Sequence, residues 1–282
     1  MTPWFPFAPH EPVLSYRHAQ GARLHQRLTA DGLVVVRGVV PPDACDEAAQ
    51  AMATWLKRRG GVDVADPATW GRYTPEHFEM SPSIPGMMNT GPVRRAAFVR
   101  EVRGRPEVRR LFERIYGTAD LRMEAGGVFW SFPPEHYPRG RNPSELDGGF
   151  WHWRNMWMHT DRGRQNPAKP TCLMTAILLE DAELHDYGFA YLSGSHRLHD
   201  EFFRKHPSPL EMETPGGGYH QLTFENTKWF EEKGCEWRKV VAPKGTVIVW
   251  NDRLLHSTCL PSRGRPRPKP RFVIYGGFTA GP

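Results

Sequence analysis

The run Trp157-Met158-His159-Thr160-Asp161 and a distant His256, which follows the apolar run Gly245-Thr246-Val247-Ile248-Val249-Trp250, make a strong demand on the fold. In an extended strand, residues two apart point to the same face, so His159 and Asp161 are able to bind one metal ion together. For His256 to join them, its strand has to return alongside the first. Two imidazoles and a carboxylate are the facial donor set that holds non-heme iron(II) while leaving coordination positions open. A His-x-Asp tripeptide says little by itself in a chain with 13 His and 31 Asp plus Glu, so the surrounding sequence has to discriminate.

The chain has 282 residues, 39% of them hydrophobic and 24% charged, which suits a globular protein with a sizeable core and no need of disulfide staples. No stretch reaches the roughly 20 apolar residues of a membrane-spanning helix, so no membrane partner is expected. The start, Met1-Thr2-Pro3-Trp4-Phe5, lacks the layout of a signal peptide, and a cytoplasmic location is the default expectation. Cys45, Cys172, Cys235 and Cys259 show no metal-ligand spacing and read as reduced packing residues. Much of the net charge of +6 lies in the run from Arg263 through Arg265, Arg267 and Lys269 to Arg271. Alternating prolines keep that run extended, and without interleaved aromatics it reads as a solvated loop and not as a nucleic-acid surface.

Residues 33–40 form a β-branched apolar run, the strand type of a buried sheet, ended by Pro41-Pro42. Asp43 is the expected N-cap of a helix carrying Ala44, Ala48, Met52, Trp55 and Leu56 at helical spacing, with Gly60-Gly61 as the stop. Residues 63–92 read as an irregular covering segment. Val108, Leu111, Phe112 and Ile115 predict a second helix closed by Gly117. Residues 128–132, 171–179, 246–250 and 272–278 predict strands. Residues 135–153 read as irregular, 188–196 as a turn leading to a short ordered segment, and 201–239 as an excursion with a Gly216-Gly217-Gly218 hinge. No repeat and no long linker divides residues 1–282, so one mainly β domain with helices outside is expected.

Four segments together resemble the phytanoyl-CoA dioxygenase family of iron(II)/2-oxoglutarate-dependent oxygenases. They are DGLVVVRGVVPPDACDEA near the start, the stretch from Trp157 to Asp161, GFAYLSGSHR beginning at Gly188, and KGTVIVWNDRLLHSTCLPSRG beginning at Lys244 and continuing to Arg271. The resemblance implies a double-stranded β-helix, the cupin-like jelly-roll core. It implies His159, Asp161 and His256 as ligands of Fe(II), with 2-oxoglutarate and O2 as cosubstrates. It also implies an arginine at the start of the strand after the distal His, whose fork meets the far carboxylate of 2-oxoglutarate. Arg271 matches that place, although the gap from His256 is longer than the family leads one to expect. Arg267, closer to His256 but in a loop, is the alternative. Thr258 matches a position whose hydroxyl helps hold the same carboxylate, and a plain strand-end threonine is the other reading. Ser193-Gly194-Ser195-His196-Arg197 lacks the G-x-S-x-G pattern of a nucleophile elbow and reads as structural.

The implied reaction is hydroxylation of an unactivated C–H of a small molecule with release of succinate and CO2. Asp161 stands where halogenating relatives carry a small residue, which favours oxygen insertion. Trp151, Trp153, Arg154, Trp157, Arg162 and Arg164 crowd the metal motif. They are read either as a wall for a partly apolar, anionic substrate or as barrel filling with arginines facing water. A non-catalytic jelly-roll that binds a metal or ligand is the competing class. The residues set no oligomeric state.

Overall fold

The computed structural model describes residues 7–10, 12–72, 87–88, 92–124, 126–133, 136, 158–162, 172–206, 220–259, 261 and 269–281. In chain order these form β1 (Ala8–Pro9), β2 (Leu14–Ser15), α1 (Gly21–Asp31), β3 (Leu33–Arg37), α2 (Pro42–Gly60), β4 (Met87–Met88), α3 (Ala97–Arg103) and α4 (Pro106–Tyr116). There follow β5 (Leu121–Met123), β6 (Gly127–Ser131), β7 (His159–Thr160), β8 (Leu173–Leu178), β9 (Gly188–Ser193), α5 (Ser195–Lys205) and β10 (His220–Gln221). The last elements are α6 (Phe224–Glu231), β11 (Glu236–Lys239), β12 (Val247–Asn251), β13 (His256–Cys259) and β14 (Arg271–Ala280).

The strands make two sheets. The larger has eight strands in the order β2-β3-β12-β8-β14-β6-β4, with β5 joined to β14. The smaller runs β1-β11-β9-β13-β7-β10. Within the larger sheet, side chains divide by parity as a pleated strand requires. Leu33, Val35, Ala176, Leu178, Ile248, Trp250 and Val273 point into the core between the sheets, where they meet Phe189 and Tyr191 of the smaller one. Val34, Val36, Ile177, Val247, Val249, Phe272 and Ile274 point outward under the helices α1, α2, α3 and α4. Helices α5 and α6 cover the outside of the smaller sheet through Phe202, Phe203 and Phe230, packed on Ala190, Leu192 and Trp237. Both faces of both sheets are therefore dry, which is why these strands read as continuous apolar runs without alternation. The result is the jelly-roll sandwich with flanking helices.

The expected strands at 33–40, 128–132, 171–179, 246–250 and 272–278 are present within a few residues. Both expected helices end where a glycine adopts positive φ, Gly61 at 65° and Gly117 at 70°. Three expectations are corrected. Pro41, not Asp43, is the N-cap of α2, because Pro42 already occupies the first helical turn; the Asp43 carboxylate accepts from the Ala44 N–H instead. Residues 188–196 are not a turn: Gly188–Ser193 is a fully paired strand at the centre of the smaller sheet, and the turn is confined to Gly194. The excursion at 201–239 ends inside that sheet, since Glu236–Lys239 pairs with β9. Residues 135 and 137–153, the Gly216-Gly217-Gly218 hinge and much of 63–92 lie outside the described residues. Among the described residues no helix is long and apolar enough to cross a membrane.

Candidate metal centre

Strands β7 and β13 are antiparallel neighbours, and among the described residues they pair at His159 with His256. Directly opposed residues on one sheet face put their side chains side by side, and the two imidazole centroids lie 4.1 Å apart. Asp161, two residues beyond His159, returns to the same face. Its Oδ1 is 3.6 Å from His159 Nε2 and its Oδ2 is 3.5 Å from His256 Nε2. One ligand atom from each of the three residues lies within 4.8 Å of the others, so a single cation could touch all three. Both histidines are buried, and the Asp161 side chain keeps 20% of its exposure.

The surroundings constrain His256 and Asp161. His256 Nδ1 is 2.9 Å from the Leu254 carbonyl oxygen. A carbonyl only accepts, so Nδ1 carries the hydrogen and Nε2 turns its lone pair toward the centre. The ring is held between Phe189, stacked at 5.2 Å and 18°, and Trp250 at 5.1 Å. Trp250 Nε1 donates to Asp161 Oδ2 at 2.8 Å. Burial works to raise the Asp161 carboxyl, but His256, His159 and the Trp250 N–H outweigh it and hold it at about 2. Burial and the neighbouring His159 lower His256 to about 4, against the opposing pull of Asp161. A neutral His256 beside an ionised Asp161 is ready to coordinate.

Deeper in the barrel, Arg271 opens β14 with the inward parity of Val273 and Tyr275. Its guanidinium lies over the Phe129 ring at 5.2 Å, and its Nη1 reaches Thr258 Oγ1 at 3.5 Å. Among the described residues no carboxylate pairs with it, its Nε is buried without a partner, and burial pulls it down to about 10. An uncompensated buried cation is a costly feature to retain unless an anion completes it. Thr258 shares the inward face of β13 with His256, which places its hydroxyl beside that cation.

Not all the sequence expectations converge here. Arg162 turns away from the substrate side: its Nε and Nη2 lie 3.2 and 3.1 Å from Asp252 Oδ2 in a pair only 2% and 3% exposed. Its charge is already satisfied, so it is removed from the expected wall. Trp151, Trp153, Arg154, Trp157, Arg164 and Arg267 lie outside the described residues. His196 sits in the first turn of α5 with Nε2 at 3.0 Å from the Thr29 carbonyl, the structural role expected for it. Missed altogether were Trp250 and Phe189, which brace His256 and Asp161, and Tyr275, whose buried hydroxyl has no hydrogen-bond partner among the described residues. The inward parity of 248 and 250 on β12, with Ile248 facing the barrel, was the signal that could have placed Trp250 beside Asp161.

The sequence model of the phytanoyl-CoA dioxygenase (PhyH) family matches residues 28–259. The chain belongs to this family. The match spans the strand β3, the metal residues and the whole of β13. A curated relative, Ava biosynthesis cluster protein O of Aspergillus versicolor, is 23% identical over 235 residues, covering 81% of this chain and 69% of the relative. Among solved structures, EctD from S. alaskensis with bound Fe superposes with a TM-score of 0.56 at 14% identity, covering 97% of this chain and 83% of that one. The epimerase SnoN in complex with Fe3+, alpha ketoglutarate and nogalamycin RO gives 0.52 at 15% identity, covering 92% and 83%. The likenesses to the solved structures establish a shared fold.

Proposed function

We propose that this chain is an Fe(II)/2-oxoglutarate-dependent oxygenase that hydroxylates a C–H bond of a small molecule, with His159, Asp161 and His256 as the metal ligands. The observation that carries the proposal is the convergence of one carboxylate and two imidazoles within 4.8 Å, drawn from stretches far apart in the chain. The donor set fits iron(II): three ligands on one side, mixed nitrogen and oxygen. Arg271 and Thr258 fit 2-oxoglutarate, because the buried guanidinium lacks an anion and the hydroxyl stands beside it. When bound, iron(II) with 2-oxoglutarate and dioxygen supplies an oxidant able to take hydrogen from an unactivated carbon, 2-oxoglutarate leaving as succinate and CO2.

The rest is done by the chain's own groups. Trp250 holds one carboxylate oxygen of Asp161, and Leu254 orients His256. Phe189, Ile248 and Leu178 keep the barrel interior apolar and exclude water from the far end. Tyr275, inward on β14 near Asp161 and within the fields of Arg94 and Arg103, offers an unpartnered hydroxyl to a polar atom of the substrate. That combination supports a partly apolar substrate bearing a polar or anionic group. One domain over residues 1–282 and a cytoplasmic location belong to the same proposal, the latter supported by four free, buried thiols.

Anaerobic titration of iron(II)-loaded protein with 2-oxoglutarate tests the reading. A weak visible charge-transfer band is expected for the wild type and not for His159→Ala, followed by succinate formation in air. No band in either protein would leave a non-catalytic jelly-roll as the better account.

A further inference from the structure

Among the described residues β7 and β13 meet at the His159–His256 pair, and Asp161 lies just beyond the end of β7. A ring of side-chain contacts links the flanks of the two segments. Arg162, next to Asp161, donates to Asp252 Oδ2 from Nε at 3.2 Å and Nη2 at 3.1 Å. Asp252 adjoins Arg253, whose Nη1 donates to Asp200 Oδ2 at 3.1 Å. Asp200 Oδ1 lies 3.0 Å from His199 Nδ1, and His199 Nε2 lies 3.3 Å from the Arg162 carbonyl oxygen, closing the circuit. Thr160 Oγ1 donates to that same carbonyl at 2.9 Å, and Cys172 N–H at the head of β8 donates to Asp252 Oδ2 at 3.2 Å. Helix α5 thus grips the residue after one ligand and, through Arg253, the loop just before another.

We infer that Arg162 and Asp252 are positioning residues for the metal centre, a buried charged clasp that sets the distance between Asp161 and His256. The inference rests on the metal-ligand reading above. A clasp of this kind differs from ordinary core packing in one respect. A pair retained only for folding can be replaced by apolar residues of similar volume without harm, since neither charge is then left alone. A pair retained for ligand spacing cannot be so replaced without weakening metal binding, because groups that orient ligands typically contribute 10- to 100-fold in metal affinity.

The test is titration of metal-free protein with cobalt(II), read by its d–d absorption, alongside near-ultraviolet circular dichroism to establish folding. The variants are His256→Ala, Asp252→Asn, the double Arg162→Met/Asp252→Leu, and Arg253→Ala at the exposed rim of the ring. Asp252→Asn and the folded double variant are expected to bind cobalt about 10- to 100-fold more weakly than wild type, with altered band intensities. Wild-type affinity and spectrum in the folded double variant would overturn the inference. Should neither clasp variant fold, Arg253→Ala decides: a several-fold loss supports the clasp, and unchanged affinity overturns it. Failure of the underlying reading looks different, since wild type and His256→Ala would then bind cobalt alike.

Discussion

Replacing Arg271 by methionine should make the cosubstrate-free protein more stable while abolishing its response to 2-oxoglutarate. Methionine keeps the unbranched stem and removes the charge. Burial, opposed only in part by Cys259 and Tyr187, pulls the Arg271 guanidinium down to about 10 from its ordinary value. At about 1.4 kcal/mol per tenfold change in an acid constant, that is a burial cost of roughly 3 kcal/mol. Contact with the Phe129 ring at 5.2 Å returns about 2 kcal/mol for a desolvated pair. The Thr258 contact, at 3.5 Å, is at the edge of hydrogen-bond range and adds little. The net gain on removing the charge is about 1 kcal/mol, or roughly 2 to 4 °C in Tm for a protein near this size. Wild type regains the advantage with cosubstrate, because 2-oxoglutarate at about 100 times its Kd would stabilise it by roughly 2.7 kcal/mol. Thermal melts of zinc(II)-loaded protein, redox-silent, with and without 2-oxoglutarate, should therefore show the order of the two proteins reverse. A variant less stable than wild type by 1 kcal/mol or more without cosubstrate refutes the reasoning, as does an undiminished 2-oxoglutarate shift.

Trp250→Phe keeps most of the ring but removes the N–H donated to Asp161 Oδ2. A bond to a charged group contributes about 1.5 to 3 kcal/mol, so metal affinity in the cobalt titration should fall on the order of tenfold; wild-type affinity would show that the bond does not orient the carboxylate. His10, buried with Nδ1 at 2.5 Å from the Tyr191 hydroxyl, is lowered by burial from 6.5 to about 4. Between those values the unfolded chain takes up a proton that the folded chain refuses. Stability is thus full above pH 6.5 and declines as pH falls toward 4, by up to about 3 kcal/mol from this residue. Urea unfolding of metal-free wild type and His10→Gln should converge as pH falls through that window, and parallel curves would refute the assignment. Gly245→Ala should destabilise by at least about 2 kcal/mol, since φ is +79° and the added Cβ would lie 2.1 Å from the Val40 carbonyl oxygen; a neutral result in denaturant melts would contradict the close approach.

The convergence of His159 and Asp161 was legible in the sequence because strand parity is a local property: the two share a face whatever else the chain does. Arg271 could be preferred over Arg267 for the same reason, as Phe272, Val273 and Ile274 announce a strand. What escaped was set by partners distant in sequence. Gly188–Ser193 carries three small residues, Gly188, Ala190 and Ser193, and ends at Gly194, so its local signal resembles a turn, yet pairing with β11 and β13 makes it a central strand. Arg162 looked like a substrate-facing cation because its partner, Asp252, lies in a different loop. Helix α1 was not anticipated, since only Leu24 and Leu28 are buried along it and its end is set by Gly32.

The facing of His159 and His256 across β7 and β13 couples occupancy to rigidity. A cation held between the two strands would tie them through side chains as well as through the sheet. Amide protons of β7 and of the loop before β13 should then exchange with solvent more slowly in the loaded protein than in the metal-free one.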